Sequence, residues 1–484
     1  RWLLAIAGDL RLPGGALLEA EAEASRQRQP SQPGLSLLGN AVPDAKRIDP
    51  NLNLNNQPWS LPAVFEGRTA SLRFTRPLAG TWRVRAHAMT QRLTSDDRVA
   101  FPFGCSAEGN FDRYCSDGTF DLYDFRSEGE RRRSDAVEVS LEGRLDMGSA
   151  QHHIGAGVLA TRFEAHLPPQ AFNFAGIGRV DGSAVAPSAP LPLSDVPDRR
   201  ERSTELFVRD RIVFGGAWRD ASLWLGLRHT RLDREADQRF TTPWLALGWR
   251  LAPHTHAYAS WGQGVETEVA PNLLLYSNAA RALPALKSRQ TELGFKHANN
   301  GLEASLVAFS ISRPQTGDVG NCDVDGSCTR VIDGRAVHRG VEAALAWRDG
   351  PWRAQLGALA LRARRQGSGD PALNGLAPSN VPSRSVRAGL ARSIGEAFEL
   401  HAALSHEGPR AALPDHSARI PAWTRLDLGA KLEQRWSGTR ITWRAAIDNA
   451  TDRRAWKESP YEFGHAYLYP LPARSVRLSA QFEL

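Results

Sequence analysis

Thr424-Arg425-Leu426-Asp427-Leu428-Gly429-Ala430-Lys431-Leu432-Glu433 sets Leu426, Leu428, Ala430 and Leu432 against Arg425, Asp427, Lys431 and Glu433. Successive side chains of a strand point to opposite faces, so this period of two marks a β-strand with one apolar and one charged surface. The pattern recurs along the chain. Residues 18–25 alternate apolar positions with Glu19, Glu21 and Glu23. Phe398, Leu400, Ala402 and Leu404 oppose Glu399, His401, Ser405 and Glu407, and Val476, Leu478, Ala480, Phe482 and Leu484 oppose Arg477, Ser479, Gln481 and Glu483.

A soluble sandwich would alternate too, with its apolar faces turned inward. Three features point to a transmembrane antiparallel β-barrel. The alternating stretches run to about 10–14 residues, where soluble strands usually run to about 5–6. Their polar faces carry both signs of charge, as a watery lumen requires, and their apolar faces hold Leu, Ala, Val and Trp. The connections also alternate between short and long. Short turns fall at Pro13-Gly14-Gly15, Leu78-Ala79-Gly80, Met147-Gly148, Gly215-Gly216, Ala252-Pro253, Asn299-Asn300-Gly301, Asp349-Gly350, Ile394-Gly395 and Ser437-Gly438, rich in residues that accept positive φ. Long loops occupy 29–67, 95–125, 168–200, 264–284, 314–333, 366–381, 408–419 and 453–472. Trp218, Trp352 and Trp436 sit beside short turns, as an interfacial aromatic girdle would.

The 484 residues carry a formal charge of +7 and 42% hydrophobic residues, and no run of 18 apolar residues occurs. No helix of this chain can therefore span a bilayer, and only a closed sheet remains as a spanning structure. Arg131-Arg132-Arg133 is the sole tight basic run and reads as a solvated strand end or loop, not as a nucleic-acid arm. Cys105/Cys115 and Cys322/Cys328 form two close pairs in polar loop segments. Short-loop disulfides in an oxidising compartment fit both pairs best, with zinc as the alternative.

About 19 strands can be counted. The first leads into a short turn and the last leaves a long loop, so both run from outside to inside and cannot pair antiparallel. Single-chain bacterial barrels close with an even number of strands. The reading is therefore an N-terminally truncated barrel over 1–484, with an odd number of strands, about three, absent. The start at Arg1-Trp2 carries no signal peptide.

Catalytic patterns are missing. There is no Gly-x-Ser-x-Gly, no His-Glu-x-x-His and no phosphate-cradling loop, so the chain does not read as an enzyme. His152-His153 and the His254/His256 pair lack a third ligand, and no metal site is assigned. The long loops instead carry aromatic residues, namely Trp59, Phe65, Phe101, Phe103, Tyr114, Phe120, Tyr123, Phe125, Phe172, Phe174, Tyr276, Trp456, Tyr461, Phe463, Tyr467 and Tyr469. Such residues at a lumen mouth suit capture of a compact, partly apolar ligand.

Five segments, in order, carry a resemblance. Residues 52–62 (Leu52 to Pro62, with Asn53, Asn55, Asn56, Gln57, Pro58 and Trp59) resemble a segment after an early hairpin of TonB-dependent siderophore receptors, ferrichrome or hydroxamate type. Tyr258-Ala259-Ser260-Trp261-Gly262-Gln263-Gly264 is similar to a strand end of that family, and Lys287 to Lys296 to its K-x-x-x-x-E-x-G-x-K strand. Arg339-Gly340-Val341-Glu342 and Asp448-Asn449-Ala450-Thr451-Asp452-Arg453-Arg454 match two further signatures.

The resemblance implies a 22-stranded barrel around an N-terminal plug in the outer membrane of a Gram-negative bacterium. It also implies a ferric siderophore as ligand, with iron as cargo and no resident cofactor. Energy would come from TonB-ExbB-ExbD acting through the plug, which this sequence lacks along with its TonB box. Further partners would be the barrel assembly machinery and outer-membrane lipid. The family's terminal strand usually ends in Phe or Trp, whereas this one ends in Phe482-Glu483-Leu484. Trp59, Phe101, Phe103, Tyr114, Tyr276 and Tyr461 are the expected ligand contacts. The rival readings are a passive porin, a TonB-dependent receptor for cobalamin or a glycan, and an outer-membrane hydrolase.

Overall fold

The computed structural model describes residues 1–483 except 235, 236, 272, 274 and 323; Leu484, expected to keep the apolar phase, lies outside the described residues. Alternation becomes a meander. The strands are β1 (Trp2–Leu12), β2 (Ala16–Gln29), β3 (Leu61–Pro77), β4 (Arg83–Pro102), β5 (Thr119–Met147) and β6 (Ala150–His166). Then come β7 (Ala171–Arg179), β8 (Arg199–Phe214), β9 (Ala221–Asp233), β10 (Asp237–Ala252), β11 (Thr255–Glu266) and β12 (Leu286–Asn299). After β13 (Leu302–Gly320), β14 (Cys328–Asp349), β15 (Trp352–Gln366), β16 (Arg384–Ile394) and β17 (Phe398–Glu407), the strands Trp423–Trp436, Thr439–Asp448 and Ser475–Glu483 complete the sheet. All twenty belong to one sheet. β7 pairs only with the upper part of β5, which leaves nineteen strands in the wall among the described residues.

Each wall strand pairs antiparallel with the next strand of the wall, and at every second connection a short turn admits nothing else. At the Ser437-Gly438 turn both residues have positive φ, 50° and 87°, which suits the right-handed twist of the flanking strands. β1 pairs only with β2, and Ser475–Glu483 only with Thr439–Asp448, among the described residues. These edge strands run in the same direction, so antiparallel closure needs an odd number of strands between them.

The register sorts side chains into two surfaces. Val139, Val158 and Leu206 stand opposite one another on β5, β6 and β8, and Leu225, Leu245 and Trp261 on β9, β10 and β11. Leu293, Ala308, Val341 and Ala360 continue the row across β12 to β15. These positions are not a core: Leu206 is 57% and Leu293 54% exposed. An apolar face left open to solvent around a whole sheet is the outer belt of a membrane barrel. At the short-turn rim, exposed Trp218 packs edge-on against Trp249, and Trp436 projects outward, as expected of the girdle.

The opposite face is ionic. Glu142 receives Arg83 at 2.7 Å and Arg209 from the other side, Arg228 meets Glu205 at 2.5 Å, and Arg387 meets Glu407 at 2.7 Å. Among the described residues, no helix is long and apolar enough to cross a membrane.

One expectation about extent changes. The segment 95–125, read as a loop, is strand at both ends: β4 reaches Pro102 and β5 spans 29 residues from Thr119. With β7 these ends form a three-stranded flap that rises beyond the wall. Glu130 marks its base. Buried at a register shift between Ser95 and Asp96, it accepts Ser127 at 2.5 Å and Ser95 at 3.2 Å.

Candidate functional site at the mouth

Among the described residues, one buried apolar cluster lies above the wall, among the long loops. Leu35, Leu37, Leu54, Tyr114, Phe120, Leu122, Leu413, Ile420, Trp456 and Leu468 form one buried cluster. It joins parts of the chain that are far apart in sequence. Leu35 and Leu468 exchange backbone hydrogen bonds at 3.0 and 2.7 Å, Ser36 Oγ donates to Ala466 O at 2.6 Å, and Trp456 Nε1 donates to Pro43 O at 2.7 Å. These contacts make the loops a packed cap. Both cysteine pairs are disulfides in this structure. Cys105, Glu108 and Cys115 are the one group of potential metal ligands among the described residues, and the two sulfurs are bonded to each other.

The flap has two different faces. One carries Ala100, Leu122 and Asp124 and is sealed by neighbouring loops: Ala100 N donates to Asn55 Oδ1 at 2.8 Å, and Ala189 N to Asp124 Oδ2 at 2.8 Å. The other carries Phe101 from β4 and Phe103 just past its end, Tyr123 from β5, and Phe172 and Phe174 from β7. The register places Phe101 opposite Tyr123, and Tyr123 opposite Phe174. Tyr123 and Phe172 stack at 4.5 Å with planes 3° apart, and Phe172 lies edge-on to Phe101 at 5.7 Å and to Phe103 at 6.3 Å. β4 keeps its alternation throughout, so Phe101 shares a face with Arg83 and Arg85, and the Phe103 ring lies 6.2 Å from it. The aromatic wall thus stands directly above the charged lumen lining. Its outer part is open, with Phe172 46% and Phe174 53% exposed.

At its inner end His465 and Tyr467 close the wall. His465 lies 5.0 Å from Phe103, 5.5 Å from Tyr114 and 4.5 Å from Tyr467. The imidazole is fully enclosed and neither ring nitrogen has a side-chain or backbone partner of good geometry. Burial pushes it down to about 3, so it is neutral at physiological pH.

The six residues expected to contact ligand do not converge on one surface. Phe101 and Phe103 are in the wall. Tyr114 is completely buried; its hydroxyl donates to Gly34 O at 2.9 Å and its ring lies 4.6 Å from Phe120. Trp59 packs on the cap core and donates Nε1 to Ala186 O at 3.0 Å. Both are occupied in holding the cap together. Tyr461 sits at the base of a small hairpin and keeps an exposed edge; burial and the nearby Asp112 push its hydroxyl up to about 12. Tyr276 lies in a separate cluster, donating to Asp318 Oδ2 at 2.9 Å beneath the Arg330 guanidinium. Its hydroxyl is pushed up to about 12 by burial and by Asp318, a carboxylate that also acts on Tyr461. Tyr123, Phe172 and Phe174 were visible in sequence as loop aromatics, and a strand register was needed to select them. A lone loop histidine such as His465 gave no signal.

A membrane-type barrel wall with an ionic lining, crowned by a loop cap and an aromatic surface, defines an outer-membrane receptor or transporter. The chain belongs to the TonB dependent receptor-like, beta-barrel family, whose model matches residues 12–450. That family consists of receptors and transporters, not enzymes, of the outer membrane of Gram-negative bacteria. Over 212 residues the chain is 29% identical to the ferrichrome receptor FcuA of Yersinia enterocolitica, a match spanning 43% of this chain and 27% of that receptor. The fold is that of the ferric preacinetobactin receptor of Acinetobacter baumannii (TM-score 0.79, 18% identity, 99% of this chain and 71% of that one). It is likewise that of the ferric-catecholate import receptor Fiu of E. coli (TM-score 0.77, 15% identity, 99% and 74%).

Proposed function

We propose that this chain forms the wall and mouth of a receptor that takes a ferric siderophore across the outer membrane. The observation that carries this reading is the half-open wall of Phe101, Phe103, Tyr123, Phe172 and Phe174 above an ionic lumen. Flat, rigid aromatic faces desolvate a compact chelate at small entropic cost, and the lumen beyond them accepts a polar solute. Iron enters as part of the ligand and is held by the siderophore's own oxygens. The similarity to a ferrichrome receptor favours a hydroxamate-type chelate over a catecholate.

In this reading Phe101, Phe103, Tyr123, Phe172 and Tyr461 touch the ligand. Trp59 and Tyr114 hold the cap that positions them, and Tyr276 with Asp318 forms a second polar cluster at the mouth. Release into the periplasm is driven by TonB-ExbB-ExbD, pulling on a plug within the lumen of the complete receptor. The test is uptake of a radio-iron trihydroxamate by cells that carry the complete receptor as their sole route. Alanine at Phe101, Tyr123 and Phe172 together should lower uptake more than about tenfold, since each lost stacking surface costs about 1 kcal/mol. Uptake that persists at the parental rate without TonB would reject the energy-coupled reading in favour of a passive pore.

A further inference from the structure

Beside the flap, the mouth holds a pocket of about 630 Å³. The long-loop ends of β6 and β8 form its floor, where Phe163 stands opposite Glu201. Both keep the phase of Leu159 and Glu205, so they belong to the lumen surface, the side to which the aromatic face of the flap also turns. Leu167 and Val196, from the connections on either side of β7, make one flank, and Val269 and Pro271, from the loop after β11, make the other. Backbone bonds hold both flanks. Gln170 and Ser194 exchange hydrogen bonds at 2.8 and 2.7 Å, and Ala270 N donates to Arg281 O at 2.9 Å. Ala280, which also lines the pocket, has a φ of 58°, a left-handed backbone that persists at a residue with a side chain only when its surroundings enforce it.

An arginine is enclosed here. Arg234, just past the end of β9, is 8% exposed, and among the described residues it pairs with one carboxylate, Glu201, at 3.3 Å from Nε. That carboxylate is shared, because Arg199 donates Nη2 to it at 2.9 Å. Nη1 of Arg234 has no hydrogen-bond partner among the described residues. The other carboxylates of the pocket are engaged: Glu164 by Arg162 at 2.5 Å and Asp198 by His166 at 3.0 Å, while Asp233 stands opposite Arg202. A buried guanidinium with an unmet donor and a divided counter-ion is destabilising. An anion entering the pocket satisfies it, and the apolar flanks cover the carbon chain that carries the anion.

We infer that the Arg234 pocket takes a carboxylate on a short aliphatic arm of the ferric chelate whose body rests on the aromatic wall. Guanidinium forks match carboxylate oxygens, and a single negative charge suits a site that already holds Glu201, where a doubly charged phosphate would meet stronger repulsion. Leu167 lies five residues from Phe172, a Cα separation of at most about 17 Å, which puts pocket and wall within reach of one chelate and its arm. The inference rests on the receptor reading above and narrows its substrate to hydroxamate chelates with a pendant carboxylate.

The test compares two forms of one linear ferric trihydroxamate, the first with a succinyl arm ending in a free carboxylate, the second with that carboxylate as its methyl ester. Binding to the purified complete receptor is followed by fluorescence quenching. The parent should bind the acid about tenfold more tightly than the ester, the effect of one charge-assisted hydrogen bond to a buried guanidinium. R234Q should bring the acid down to the level of the ester and leave the ester unchanged, whereas R234K should keep part of the preference. Should R234Q fail to fold, V196W, which fills the pocket and leaves Arg234 in place, should remove the preference in the same way. Equal binding of acid and ester by the parent would overturn the pocket assignment alone, as would an unchanged preference in folded R234Q or V196W. Loss of the preference on adding monomethyl succinate at the concentration of the chelate would break the link to the chelate, since the pocket would then hold any free carboxylate. A parent that bound neither form would reject the receptor reading and this inference with it.

Discussion

The Tyr114 phenol, bonded to Gly34 O, sits where three loop segments meet: Tyr114 N donates to Leu37 O at 3.1 Å and Gly39 N to Tyr114 O at 3.0 Å. Tyr114→Phe removes one buried hydrogen bond and should weaken the cap locally by about 1 kcal/mol, whereas Tyr114→Ala also opens a cavity and should cost about 3–5 kcal/mol. Amide exchange at Gly39 and Tyr114 reads the difference, and equal exchange rates in the two variants would contradict this packing role. His465 supplies a pH dependence. Its neutral form is favoured in the folded cap, down to about 3, while an unfolded cap takes up a proton near pH 6.5. Cap stability is therefore complete above about pH 6.5 and falls as pH drops toward 3. Exchange across 456–470, corrected for intrinsic rate, should quicken between pH 7 and pH 4.5. His465→Phe should abolish that change while keeping ring contacts, and a parent cap equally protected at both pH values would refute it.

At the scale of elements, the Cys105–Cys115 bond ties a short hairpin into the flap and seats Tyr114 beside it. Replacing both cysteines by serine should loosen 103–118 by about 2–3 kcal/mol, chiefly by freeing the unfolded segment. Limited proteolysis should then cut within 106–113, and resistance equal to the parent's would show the bond to be dispensable. The flap also shows where sequence reading stops. Alternation is legible in Thr424–Glu433 because one face meets an apolar medium and the other a watery lumen. Beyond the wall that contrast ends. Ala100 and Pro102 are sealed by protein while Phe101 and Phe103 are partly open, so both faces are apolar and the stretch reads as loop. Residues 95–98, all polar, interrupt the pattern just where β4 continues. Cap contacts such as Ser36 with Ala466, separated by 430 positions, leave no local periodicity at all. The aromatic residues were therefore visible as a set, while their division into wall, cap and separate cluster was not.

For the whole molecule, the two-surface register makes a paired prediction on adjacent residues. Val158 lies on the belt between Val139 and Leu206, whereas Leu159 faces the lumen between Glu138 and Glu205. Val158→Arg should destabilise the membrane-inserted barrel by about 2–4 kcal/mol, and Leu159→Arg should be tolerated because two carboxylates flank it. Folding titrations in lipid vesicles compare them, and equal cost would mean that the faces are assigned wrongly. The nineteen-strand wall, the ionic lumen and the mouth combine in a single claim, that an aromatic surface on the flap captures a ferric chelate. Direct binding of a ferric trihydroxamate to the purified complete receptor, followed by fluorescence quenching, tests it most plainly. The account predicts saturable binding that weakens more than about tenfold when Phe101, Tyr123 and Phe172 are alanine, and that changes little when the lumen position Leu159 is substituted. Unaltered affinity in the folded triple variant would contradict it.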